Sequence, residues 1–252
     1  MRYGLAVVVL VGLALGAAGQ GELSDVELLR ALDEVRFFAP EVTSVRVRIT
    51  SEKPGEVREA ELLLQFATLS EESYARITFL APEELAGQVF LSTPDATYFF
   101  GPDLDFPIKT AATTEVFGDS AVAQTSGISF AEQYTITERR TEVSEGGEPL
   151  LVVDLAAVDF TIAFQAVTVW VDPATLRPLS ATLYALSGLP FYDIVYAEYA
   201  TSGAGDTYVS VQRITNRLIA GRVTLSEVLE LDSVPLSAEL FDPEALGTAG
   251  AP

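Results

Sequence analysis

The sequence has 252 residues, no cysteine, no histidine and a formal net charge of −21. The two absences exclude disulfides, thiolate nucleophiles, serine–histidine triads and cysteine- or histidine-ligated metals. The charge repels phosphate backbones and anionic surfaces, so no nucleic-acid partner is expected, and it keeps a chain that is 49% hydrophobic dispersed.

Met1, Arg2 and Tyr3 make a short basic start. An apolar run over 5–15, broken only by Gly12, leads into Gly16, Ala17, Ala18 and Gly19. This is the pattern of a secretory signal peptide over 1–19. The run is shorter than the ~20 residues a bilayer crossing needs. The chain is therefore expected to be periplasmic or secreted, and not membrane-spanning once the signal is cleaved. Without cysteine it has no acylation site for a lipid anchor. Residues 20–246 read as a single domain, because no Pro-, Gly- or Ser-rich linker divides them, and 247–252 read as a disordered tail.

A first helix is predicted over 24–38. Ser24 and Glu27 form a capping box, and Val26, Leu29, Leu32 and Val35 recur at helical spacing, with Leu28 widening the stripe. Strands follow. Val45, Val47 and Ile49 alternate with polar residues; Ala60, Leu62, Leu64 and Phe66 alternate with Glu59, Glu61, Leu63 and Gln65, and Ala75, Ile77 and Phe79 with Tyr74, Arg76 and Thr78. Such alternation describes an antiparallel meander with one wet face. A short hairpin over 89–100 turns at Thr93, Pro94 and Asp95. The segment 101–133 has no period, and a short helical turn is predicted near 120–124. Long irregular segments of this kind often serve as lids or binding loops. Further strands are predicted over 134–143, 149–156, 161–172, 176–186, 190–200, 206–216 and 219–229.

The expected fold is mainly β: an antiparallel, half-open barrel of about ten to eleven strands, covered by the N-terminal helix and a short helical loop segment. Its interior has two readings. One is a core filled to native density, and the other is a cavity for a hydrocarbon chain.

No residue pattern points to catalysis. There is no phosphate-cradling glycine loop, nucleophile elbow or paired-carboxylate motif, so no enzyme and no cofactor is expected. Asp103 and Asp105 flank Leu104 but match no calcium-loop spacing. Asp119, after Gly118, is placed to cap a short helix.

The order of features across the chain nevertheless resembles a known family. Phe79, Pro82 and Gly87 are followed by Phe90-Leu91, by an aromatic hairpin from Tyr98 to Pro102, and by Gly118-Asp119. The stretch from Val169 to Leu179 ("VWVDPATLRPL") and the closing "LFDPEAL" complete the series. This order is similar to that of the outer-membrane lipoprotein-sorting proteins, in the wider superfamily of the LolA and LolB lipoprotein carriers. The resemblance implies a half-open barrel wrapped over helices, with an apolar cavity for acyl chains. It implies a non-catalytic carrier or sensor whose ligand is an acyl chain, a lipid or a lipoprotein. A monomer is expected, with an envelope protein as the natural macromolecular partner. Strand phase then selects Leu62, Leu64, Phe66, Ile77, Phe79, Phe90, Phe99 and Trp170 as cavity lining, with 101–133 gating the opening. The sequence singles out no arginine to hold such a gate. The alternative is a structural or interaction module of the cell envelope with a filled core.

Overall fold

The capping box starts the first helix where it is expected. In the computed structural model, which describes residues 23–36, 42–111, 113–121 and 128–246, α1 spans Asp25–Arg36. The Ser24 N–H donates to Glu27 Oε2 at 2.9 Å, and the Glu27 N–H returns to Ser24 Oγ at 3.3 Å. Leu28, Leu29, Leu32 and Asp33 form the buried face. Val26 is exposed, so Leu28 begins the apolar stripe in its place. The proposed signal peptide, the helix end at Phe37 and Phe38, and the tail from Gly247 lie outside the described residues.

Alternating apolar residues then produce six strands: β1 (Ser44–Lys53), β2 (Glu56–Leu69), β3 (Glu72–Ala81), β4 (Val89–Ser92), β5 (Thr97–Phe100) and β6 (Ile108–Thr110). A small separate hairpin follows, made of β7 (Glu115–Phe117) and β8 (Ser120–Ala121), and then a one-turn helix α2 (Phe130–Gln133). Seven more strands complete the sheet: β9 (Tyr134–Val143), β10 (Pro149–Ala157), β11 (Ala166–Val171), β12 (Pro178–Tyr184), β13 (Pro190–Thr201), β14 (Thr207–Asn216) and β15 (Val223–Asp232). Two 3₁₀ turns, Ala238–Phe241 and Pro243–Ala245, close the described chain.

The main sheet has thirteen strands in the order β6-β5-β4-β3-β2-β1-β15-β14-β13-β12-β11-β10-β9. Every neighbouring pair is antiparallel, and the first and last strands of the meander meet where β1 pairs with β15. The sheet does not close, since β6 and β9 are edges. Thirteen exceeds the ten to eleven strands expected. One reason is β6, whose three residues are too few to carry a period.

Of the helical turn predicted at 120–124, Ser120 and Ala121 form β8, and 122–124 lie outside the described residues. The helix at 130–133 starts where Ser129 caps it, its Oγ accepting from the Glu132 N–H at 3.2 Å. The strand expected over 161–172 begins only at Ala166, because Phe164 turns inward to the core and the Gln165 amide binds back to the Ile162 carbonyl at 2.7 Å. The strand expected from 219 begins at Val223. Asn216 Oδ1 holds the preceding turn by accepting from the Leu218 and Ile219 N–H groups.

One face of the sheet carries two apolar clusters. Over β9–β14 the first packs against α1 and α2, through Leu28, Leu32, Phe130, Val153, Val169, Leu183 and Tyr192 among others. Over β1–β5 the second runs through Val45, Val47, Ile49, Leu62, Ile77 and Phe79, which meet Phe117 of β7. The two halves share this inner face because Ile214 of β14 pairs with Thr224, and Thr224 with Ser51 next to Ile49. On the outer face of β3–β5, Val89 and Leu91 pack under the C-terminal 3₁₀ turns, through Phe241 and Leu246. Those two residues are the Phe and Leu of the closing "LFDPEAL".

Candidate functional site

Antiparallel register lines up the inner-face side chains across strands. Leu64 lies opposite Ile77, Ile77 opposite Phe90, and Phe90 opposite Phe99. A second row pairs Leu62 with Phe79, and Phe66 stands opposite Ala75. Side chains directly opposite on one face are within packing reach. The seven residues Leu62, Leu64, Phe66, Ile77, Phe79, Phe90 and Phe99 thus gather in one apolar cluster. The Phe90 and Phe99 rings lie 4.9 Å apart between centroids, and the Phe79 ring meets Phe117 edge-on at 6.4 Å. Five of the seven are buried. Phe66 in β2 and Phe99 in β5, beside the edge strand, are only half-buried.

Trp170 is not brought to this group. Val169 and Val171 take the inner face of β11, so the intervening Trp170 points outward. Its indole N–H donates to Glu142 Oε2 at 3.4 Å. Around it runs a polar outer face: Arg140 binds Glu142 at 2.9 Å and pairs with Asp154, and Thr168 Oγ1 donates to Asp154 Oδ1 at 2.6 Å. Trp170 is therefore corrected from an inner-face to an outer-face position. The sequence misleads here because β11 is apolar on both faces.

The β7–β8 hairpin sits over the junction of β1 and β15 and is pinned there by polar contacts. Asp119 and Thr224 are the fully buried polar residues of that pin. The Asp119 contacts carry most of it. The Asp119 N–H donates to Thr224 Oγ1 at 2.8 Å, and its Oδ1 accepts from Asn216 Nδ2 at 2.7 Å. Arg222 donates to the Gly118 carbonyl at 2.7 Å and to Glu115 at 2.9 Å, and its Nε lies 3.2 Å from Asp119 Oδ2. That last approach is an ion pair at poor hydrogen-bond angle, since Oδ2 has no hydrogen-bond partner. Burial pushes the Asp119 carboxyl above its usual value of 3.8, against the opposing pull of Asn216 and Arg222. The same burial, with the Asp119 charge beside it, pushes the Tyr192 hydroxyl up to about 12. Asp119 is thus the tip of a hairpin turn and not a helix cap. Gly118 makes the turn possible, with φ of +60° and no room for a Cβ against Ser51 and Thr224.

A second clamp holds the far end of the same excursion. Asp33 of α1 accepts from the Phe130 and Ala131 N–H groups, both at 2.9 Å, and from Ser129 Oγ at 3.0 Å. It satisfies the open N-terminal end of α2 with a carboxylate brought from another helix. Arg36 pairs with Asp33 at 2.9 Å, donates to the Ile128 carbonyl at 3.0 Å and lies 3.6 Å over the Phe130 ring. Sequence reasoning missed Arg36, Asn216 and Arg222. Each acts across about a hundred residues, where no local spacing can signal it. The Ser129–Glu132 cap was readable as a short start signal.

The inner face offers apolar burial, with Asp119 as its one fully buried carboxyl group among the described residues. No group of three or more His, Cys, Asp or Glu side chains is placed to hold a metal among those residues.

A family model described as uncharacterized-protein-like matches residues 71–248. No curated protein matches the sequence. Solved structures share the fold. A LolA superfamily protein from Nitrosomonas europaea is 21% identical with a TM-score of 0.77, over 88% of this chain and 98% of that one. A protein from Vibrio parahaemolyticus, described as an outer membrane lipoprotein-sorting protein domain, is 16% identical with a TM-score of 0.74, over 88% and 98%. A DUF1329 family protein from Desulfovibrio piger is 14% identical with a TM-score of 0.74, over 86% and 95%.

Proposed function

The chain belongs to the uncharacterized-protein-like family whose model spans residues 71–248 and has the LolA-superfamily fold, and from this we propose that it is a non-catalytic carrier or sensor for an acyl chain. It works in the periplasm or outside the cell as a monomer of one domain over 20–246, after a signal peptide over 1–19 is removed. The acyl chain, whether of a lipid or of a lipoprotein, lies on the inner face of β2–β5, against Leu62, Leu64, Phe66, Ile77, Phe79, Phe90 and Phe99. An envelope protein is the natural donor or acceptor. The observation that carries this reading is the cross-strand row Leu64–Ile77–Phe90–Phe99, apolar throughout and ending in the half-buried Phe99. Each methylene taken from water onto such a face contributes about 0.8 kcal/mol.

The 101–133 excursion gates the site. It is pinned midway, where Arg222 binds Gly118 and pairs with Asp119, and near its C-terminal end, where Arg36 and Asp33 bind Ile128, Phe130 and Ala131, so entry of a ligand requires one clamp to loosen.

A second reading has its own support. Leu62 and Ile77 are 0% and 1% exposed, as in a filled core. That pattern suits a structural or interaction module of the envelope. Titration with a fluorescent fatty acid separates the two. The carrier reading expects saturable uptake, displaced by an unlabelled fatty acid and weakened at least tenfold by Phe66→Asp or Phe99→Asp. No uptake, or uptake indifferent to both substitutions, would sink it.

A further inference from the structure

The antiparallel order sorts the hairpin loops by end. Loops β10–β11, β12–β13 and β14–β15 close at one end of the sheet, and β9–β10, β11–β12 and β13–β14 at the other. The first three loops expose Val158 and Phe160, Leu186 and Leu189, and Leu218 and Ile219. Phe160 and Leu186 are 84% and 83% exposed, more than any other large apolar side chain described. The opposite turns, over 144–148, 172–177 and 202–206, expose no large apolar side chain, although Val143 at the end of β9 is exposed, and carry Glu145, Glu148, Asp172 and Asp206 against Arg177.

The tips are built, with part of their backbone satisfied internally. Gln165 Nε2 donates to the carbonyls of Asp159, Phe160 and Ile162. The Gly188 N–H binds the Ala185 carbonyl at 2.9 Å, and Asn216 Oδ1 accepts from Leu218 and Ile219. Backbone groups already satisfied inside each loop can leave water without loss. The three loops contain Arg217, Arg222 and Asp159 as their charged residues; Arg217 pairs with Asp193, and Arg222 with Glu115 and Asp119, so the tips carry little unpaired charge.

We propose that the tips of these three loops dock shallowly on a lipid bilayer of neutral headgroups, with the six apolar side chains entering the interfacial layer. Successive tips stand two strand spacings apart, ~10 Å. A fluid acyl layer receives such separated tips one by one. A protein partner would instead need pockets at matching intervals, and the tips form no continuous face for one. The acidic opposite end faces water. This goes beyond the carrier reading and does not rest on it, since docking and acyl uptake are measured separately.

The cysteine-free chain makes the test direct. Single cysteines at Phe160→Cys, Leu186→Cys or Leu218→Cys carry an environment-sensitive fluorophore, with Gly146→Cys and Ala204→Cys as controls on the opposite turns. On adding phosphatidylcholine vesicles to the full chain, the first three labels shift to the blue and are quenched by brominated lipid, while the controls stay unchanged. In the Leu186→Cys-labelled chain, Phe160→Ser with Leu218→Ser raises the lipid concentration for half the shift at least tenfold. The proposal is overturned by water-like emission from all three tips on vesicles, by a shift equal to that of the controls, or by an unaltered half-shift concentration. A shift that needs an envelope protein in place of lipid overturns it in favour of a protein partner.

Discussion

Replacing Gly118 by alanine tests whether the β7–β8 hairpin is seated as tightly as its contacts imply. Gly118 has a φ of +60°, and a Cβ there would stand 2.7 Å from Ser51 Cβ, Ser51 Oγ and Thr224 Oγ1. Left-handed backbone costs a non-glycine residue about 1–2 kcal/mol. Forcing an extra carbon into a packed site adds roughly 1–3 kcal/mol. The expected loss is therefore about 2–5 kcal/mol in total. Gly147 provides the control, since its φ is +86° and nothing lies within 4 Å of its Cβ position. Gly147→Ala should cost only the backbone share, about 1–2 kcal/mol. Guanidinium unfolding followed by far-UV circular dichroism measures both. Adding Ser51→Gly removes two of the three close atoms, so the double variant should lose less than the sum of the singles, with a coupling of about 0.5–3 kcal/mol. Equal losses at Gly118 and Gly147, or strict additivity with Ser51→Gly, would refute the seating of the hairpin described above.

Other consequences follow from the same contacts. Asp33→Ala breaks a pair that is only 10% exposed on each side and strips the α2 N–H groups of their acceptor, and should cost roughly 3–5 kcal/mol in the same unfolding assay. Arg222→Ala removes the hairpin's contacts through Gly118, Glu115 and Asp119 and should speed fluorescent fatty-acid uptake several-fold, an effect stopped-flow mixing would detect; an unchanged rate counts against the gate. Because burial raises the Asp119 carboxyl above 3.8, its proton binds the folded chain more tightly than the unfolded one. Its protonation therefore contributes stability that is fully present below 3.8 and is lost as pH rises through the folded value. Asp119→Asn should remove that share of the slope in a series of unfolding curves from pH 3 upward, whereas identical slopes would contradict it. Trp170, the single tryptophan, lies on the outer face, so its emission maximum should not move when a fatty acid binds.

Legibility followed periodicity. Where apolar residues recur at every second position, as at Val45–Ile49, Ala60–Phe66 (with Leu63 between) and Ala75–Phe79, the phase assigns the inner face, and Leu62, Leu64, Phe66, Ile77 and Phe79 fall together. Phe90 and Phe99 follow from the next hairpin. In β11 every residue but Thr168 is apolar, so phase has no contrast to read, and Trp170 was assigned to the wrong face. The polar pins were illegible for another reason. Asp119 meets Asn216 and Arg222, and Asp33 meets Ser129, only after the chain has folded back on itself. The loop ends were blurred by side chains such as Gln165 and Asn216, which satisfy loop backbone in place of a strand partner.

Whether the inner face of β2–β5 carries an acyl chain is tested most directly by native mass spectrometry of the protein purified from the cells that make it, followed by lipid extraction. The carrier account predicts an added mass that extraction releases as an acyl-containing lipid, and that refills from added fatty acid. A bare polypeptide mass, with no extractable lipid and no uptake of fatty acid, would contradict it and leave a filled core.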